Sequence, residues 1–206
     1  MNESRTSYHH GSLREELITA SVSLIENEGI GAVSLRRVAR QAGVSPGAPY
    51  HHFADRSALL AAITERGSEL LEQQLRQAQR DAVTPTRALG ALIETYFNFA
   101  REHPAYLQLL LRPELSQSPK HSAQPAGAGP LTVLTEVVED CQRAGTAPPG
   151  DTGPLVGMVW ALAIGLVTLW LDGPLEARCT SLGTTPELLT AQISALLERL
   201  LTGVRL

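Results

Sequence analysis

Cysteines in metal-ligand spacing are missing from this chain. Its 206 residues hold two, Cys141 and Cys179, far apart in sequence. That leaves no zinc-site pattern and no disulfide framework, as expected of a protein in a reducing cytosol. The opening MNESRTSYHHGSLREE is polar and has no apolar core, so it is not read as a secretory signal. No stretch alternates with period two, which removes strands from the expectation. There is no internal repeat. No nucleophile–base pair, phosphate loop or metal cluster supports an enzyme, so no catalytic residue, cofactor or metal is expected. One apolar run, Pro154 to Leu171, is uncharged and long enough to raise the membrane question. Asp151 and Asp172 flank it, and cationic anchors are absent. It is therefore expected to be a helix buried in protein on all sides, with no membrane partner.

What is present is apolar material at helical spacing. The chain is 43% hydrophobic with a formal net charge of -4. The charge is uneven: between Ser34 and Arg56 stand Arg36, Arg37, Arg40 and Arg56 against Asp55 alone. A local basic patch on an acidic protein can dock on phosphate while the rest stays soluble. Residues 1–10, with Tyr8, His9 and His10, are expected to form a flexible arm. Ser12 with Glu15 reads as a capping box opening a helix to Glu28. Ser34 caps a second helix whose Leu35, Val38, Ala39 and Ala42 face inward. Gly43 supplies the corner. Ser45 caps a third helix with Pro46 at its first position and Pro49 still in its first turn. Asp55 caps a long helix to about Arg80. Further helices are expected at Pro85–Glu102, Ala105–Leu111, Pro130–Ala144, Pro154–Leu171 and from Pro186 to the C-terminal region. Residues 112–129 read as a mobile loop, and Asp172–Thr185 as a connection. The fold class is all-α.

The two short helices and their turn meet the demands of a helix-turn-helix. Gly43 is the small corner residue, Val38, Ala39, Val44 and Phe53 set the angle, and Arg36, Arg37, Ser45, Tyr50, His51 and His52 offer donors. Arg37 and Arg40 remain open between DNA contact and ordinary solvated arginines, and Tyr50 between clamp and core.

At these residues, S-L-R-R-V-A-R-Q-A-G-V-S-P-G-A-P-Y-H-H-F-A-D-R, the sequence resembles the tetracycline-repressor (TetR) family of transcriptional regulators. The likeness covers roughly residues 12–60. It implies a three-helix DNA-binding head over residues 1–55 and a helical effector-binding and dimerisation domain over residues 56–206. Tyr50 and His52 match the family's phosphate clamp. Arg56 stands where a lysine is usual and should also meet phosphate. Ser34 would give phosphate its hydroxyl and backbone N–H, and Arg36 is placed for a bidentate contact with guanine. Pro46, Gly47, Ala48 and His51 occupy the reading positions, and they carry few hydrogen-bonding groups. Base specificity would rest on Arg36, His51, thymine methyls and DNA shape.

Tyr8–Arg14 and Trp160–Leu169 also resemble a subgroup whose C-terminal domain has Trp, three residues, then His-Gly. Here Ile164 replaces that histidine before Gly165. The resemblance implies a cytoplasmic homodimer made by the last two long helices, Pro154–Leu171 and Pro186–Thr202, on a near-palindromic operator. Its usual member is a repressor released by a small molecule. Tyr96, Phe99, His103, Tyr106, Trp160 and Thr168 are the polar-edged or aromatic candidates to line the ligand pocket. The scarcity of lining charges suits a hydrophobic effector.

Overall fold

Leu17, Ile18, Leu24 and Ile25 lie on one stripe of a helix, and all four are buried. This pattern, repeated along the chain, produces an all-α protein in the computed structural model, which describes residues 4–115 and 129–202. Among these residues there are nine α-helices and no strand. In chain order they are α1 Ser4–Glu28, α2 Leu35–Gln41, α3 Arg56–Asp81, α4 Pro85–Glu102, α5 Pro104–Leu110, α6 Pro130–Arg143, α7 Gly153–Leu171, α8 Pro174–Ser181 and α9 Pro186–Leu201. Two compact units emerge, one up to Ser68 plus the α5 segment from His103, the other Glu69–Glu102 plus α6 to α9. Their boundary falls inside α3.

In the first unit, α1, α2 and the front of α3 bury Leu17, Ile25, Val33, Leu35, Val38, Phe53, Leu59 and Ile63 in one cluster. The short α5 joins this cluster through Ala105 and Leu109. Helix α3 passes so close to α5 that a Cβ on Gly67 would sit 2.8 Å from the Tyr106 Cβ. Arg66, beside that glycine, is ion-paired with Glu15 of α1.

The second unit is built round α4. Leu89, Leu92, Ile93, Phe97 and Phe99 are buried there, and α4 packs on α9, α6 and α7. Helices α4 and α9 approach closely at small residues: a Cβ on Gly90 would lie 3.2 Å from Ser194 Cβ. Thr185 caps α9, its hydroxyl accepting from Leu188 N–H at 3.2 Å. Arg76 of α3 binds Glu72 and Glu136, each at 2.9 Å. Those two carboxylates raise its pKa further above the ordinary value.

Several expectations change. Helix α1 begins at Ser4, so Ser12 lies inside it instead of capping it, and most of the expected arm at 1–10 is helical. The third helix is absent as an α-helix. The expected connection after Asp172 contains α8, opened by Pro174 at a position where its missing N–H costs nothing. Helix α7 is not buried on all sides, because only Val159, Ala163, Leu166 and Val167 are buried in the chain. Of the expected loop at 112–129, Pro113–Leu115 forms a single 3₁₀ turn, and residues 116–128 lie outside the described residues.

Candidate nucleic-acid interface

The interface begins at Ser34, whose extended backbone (φ -146, ψ 150) ends the preceding loop. Its hydroxyl accepts from Arg37 N–H at 3.3 Å, which caps α2. Leu35, Val38 and Ala39 anchor one side of α2 in the core. The opposite side is therefore forced outward, and it carries Arg36, Arg37 and Arg40. Gly43 follows with φ +69, a conformation that a residue with a Cβ resists. The corner closes when Val44 N–H donates to Ala39 C=O at 2.9 Å.

After this corner the chain makes one 3₁₀ turn, Ala48–His51, where an α-helix was expected. The cause is Pro49. With Ser45 as the cap, Pro46 falls at the first helical position and loses nothing. Pro49 falls at the first position whose N–H must reach back to the cap carbonyl, and it has none. Ser45 C=O instead accepts from Ala48 N–H at 3.0 Å, three residues on. Tyr50 N–H likewise donates to Gly47 C=O at 3.2 Å.

The outer side of this element matches the sequence reading in part. Ser45, Pro46, Gly47, Tyr50 and His51 are exposed, and Ala48 is half-buried. Tyr50 has 52% of its surface free, so it is no core aromatic. His52 is half-buried and packs tilted against Phe53 with ring centroids 6.4 Å apart. Phe53 plugs the core, with the Arg14 guanidinium 5.7 Å above its ring.

The arginines divide into two kinds. Arg37 is ion-paired with Glu28 at the end of α1, at 2.6 Å. Arg56 is turned inward. Its Nε donates to Val33 C=O and its Nη2 to Ile30 C=O, both at 2.8 Å. These carbonyls belong to the loop between α1 and α2, so Arg56 ties the start of α3 to the base of α2. Asp55 secures that start by accepting from Ala58 N–H at 2.8 Å. Arg36 and Arg40 are exposed and have no side-chain partner among the described residues.

The pocket candidates are dispersed. Tyr96, Phe99, Trp160 and Thr168 belong to the second unit, His103 and Tyr106 to the first. Phe99 is fully buried. Tyr96 is half-buried, and burial pushes its phenol up to about 12. Trp160 and Thr168 lie on the exposed side of α7. His103 and Tyr106 meet edge to face at 6.0 Å. Cys141 and Cys179 are both buried, and burial raises the Cys141 thiol above its ordinary pKa, which disfavours a reactive thiolate.

Residues 17–63 match the profile described as bacterial regulatory proteins, tetR family. Residues 89–196 match the profile described as tetracyclin repressor-like, C-terminal domain. Among solved structures, a Rhodococcus sp. RHA1 protein of unknown function is 32% identical, with a TM-score of 0.78 over 94% of this chain and 97% of its own. A bacterial regulatory protein in the tetR family from Rhodococcus RHA1 is 21% identical, with a TM-score of 0.71 over 91% and 96%. The transcriptional regulator FadR from Bacillus subtilis, solved in complex with stearoyl-CoA, is 20% identical, with a TM-score of 0.66 over 93% and 99%.

Proposed function

The chain belongs to the TetR family of bacterial regulatory proteins, and on that premise we propose that it is a dimeric repressor released from a near-palindromic operator by an apolar small molecule. At the coarser level it is a DNA-binding transcriptional regulator and not an enzyme. The observation that carries the reading is the head itself. A buried cluster holds α2 and the following turn so that Ser34, Arg36, Ser45, Tyr50 and His51 all face outward. Such a set suits phosphate docking with a small number of base contacts. Arg37 and His52 contribute to the same side less directly, since Glu28 and Phe53 already engage them. Arg56 acts mainly by positioning, and its remaining N–H groups can still meet phosphate.

Dimerisation is supported by an apolar side that no described residue of the chain covers. Met158, Trp160 and Leu169 of α7 are exposed, as are Leu188, Leu196 and Leu200 of α9. Gly157 and Gly165 of α7 border open space, which suits close approach of a second copy. Placement in the cytoplasm follows from an operator as the target. The finer subgroup rests on Trp160 and Gly165, with Ile164 in the histidine's place. An apolar effector suits the scarcity of charge among the candidate lining residues, Tyr96 and Phe99 included. The stearoyl-CoA held by the Bacillus relative is of a compatible class in its acyl chain.

The test is binding to the DNA upstream of the chain's own gene at several salt concentrations. Salt-sensitive binding is expected, and Tyr50→Ala should weaken it several-fold at every salt. Absence of binding even at low salt would sink the reading.

A further inference from the structure

We infer that base reading in this head is shared between its third element and α2, where Arg36 and Arg40 form a paired reading face, with Arg40 setting a base preference of its own. The inference rests on the DNA-binding reading above.

The third element is poorly equipped to read. Pro46, Gly47, Ala48 and Pro49 carry no side-chain donor or acceptor, and the two prolines lack N–H groups as well. Only one 3₁₀ turn is formed, so the element presents about 8 Å of helix to a groove. Hydrogen-bonded discrimination between base pairs by this element therefore falls to its exposed end, Tyr50 and His51, with thymine-methyl contacts from the rest.

Two of the head's other guanidiniums are already engaged. Glu28 holds Arg37, and the Ile30 and Val33 carbonyls hold Arg56. Arg36 and Arg40 stand four residues apart on α2, so they lie one above the other on a single flank. Arg37 points down another flank, toward Glu28 of α1. Arg36 and Arg40 are exposed and spend no donor on a side-chain partner among the described residues. Each fork is thus free for the O6 and N7 acceptors of a guanine, the bidentate match that suits a guanidinium. Their separation along the axis is about 6 Å, so the two would address different base pairs.

A phosphate contact would use the same charge, and the two roles separate under Arg→Lys exchange. Lysine keeps the charge and loses the planar fork. The experiment selects a preferred sequence for the full chain from a random-sequence duplex library. Wild type, Arg36→Lys, Arg40→Lys and Arg40→Ala are then measured on that duplex and its single-base variants across a salt series. We expect Arg40→Lys to keep the salt slope and to lose about tenfold or more of the discrimination at one guanine. Arg36→Lys should do the same at a different one. Full discrimination in Arg40→Lys, with Arg40→Ala lowering only the salt slope by about one, overturns the inference and makes Arg40 a phosphate contact. Failure of wild type to prefer any sequence over random duplex would overturn both this and the proposed function. A clear preference untouched at Arg40 overturns this inference alone.

Discussion

Arg56 carries two loads that a lysine could not share. Its fork reaches the carbonyls of Val33 and Ile30 at 2.8 Å each, both in the loop between α1 and α2, where Ile30 C=O also accepts from Val33 N–H at 3.2 Å. Hydrogen bonds from a charged donor contribute more than neutral ones, and losing this donor also deprives Val33 C=O of its guanidinium partner. Arg56→Ala should therefore destabilise the protein by about 2 kcal/mol. For a chain of this size that is a fall in Tm of roughly 4–8 °C. Arg56→Lys should restore little of it, because one ammonium cannot match the geometry of two carbonyls. Thermal unfolding of the three proteins checks this, and an unchanged Tm in Arg56→Ala would show the tie to be ornamental. The residue's place within the family motif was legible in sequence. Its structural task was not, because the partner carbonyls lie 23 and 26 residues away in the chain.

Helices themselves were largely legible, and where they were not the reason is local. Apolar periodicity located α2, α4, α6 and α9 within a residue or two, since each has a core-facing stripe and a clear start signal at Ser34, Pro85, Pro130 or Pro186. Helix α8 escaped because only Leu175 and Cys179 of its eight residues are buried, too few to print a period. The 3₁₀ turn at Ala48–His51 escaped because Pro49 was counted as still within the tolerant first turn, and it falls one position past it. Close approach between elements leaves an even fainter trace. Nothing around Gly67 announces that Tyr106 lies against it. An exposed helical Gly→Ala exchange usually gains about 1 kcal/mol. Here the new Cβ would stand 2.8 Å from the Tyr106 Cβ and 2.9 Å from its ring. Neither atom is the loose end of a side chain, so α3 and α5 must move apart. The sign should reverse, with Gly67→Ala losing about 1–3 kcal/mol. A higher Tm for Gly67→Ala would mean the two helices separate freely.

Across the whole molecule the uncharged α7 has two competing explanations, and its pattern of burial separates them. By length and composition it could cross a bilayer. Yet one side of it is fixed, with Val159, Ala163, Leu166 and Val167 buried where α7 packs on α4 and α6. Its other side holds Gly157, Ala161, Gly165 and Leu169 in one four-residue row, beside Trp160 and Thr168. Bilayer lipid asks for bulky apolar residues all round, whereas an opposing helix favours small ones between a few large anchors. Helix α9 adds Leu188, Leu196 and Leu200 on a similar row. A two-fold pairing of this surface would also fix the distance between two reading heads, and half-sites must be spaced by a turn of DNA or multiples of it. Wild type should therefore run as a two-subunit species in detergent-free buffer. Trp160→Glu and Leu196→Glu each place a carboxylate in that seam while leaving the single-chain core untouched, since both positions are exposed within the chain. An uncompensated buried charge costs about 3–5 kcal/mol, so each variant should weaken the dimer by more than about a hundredfold and move the sedimentation profile toward monomer at micromolar concentration. Operator affinity should fall with it, because a lone head keeps its phosphate contacts and loses the second half-site. Dimers that survive both substitutions at wild-type strength would place the two-fold on some other surface.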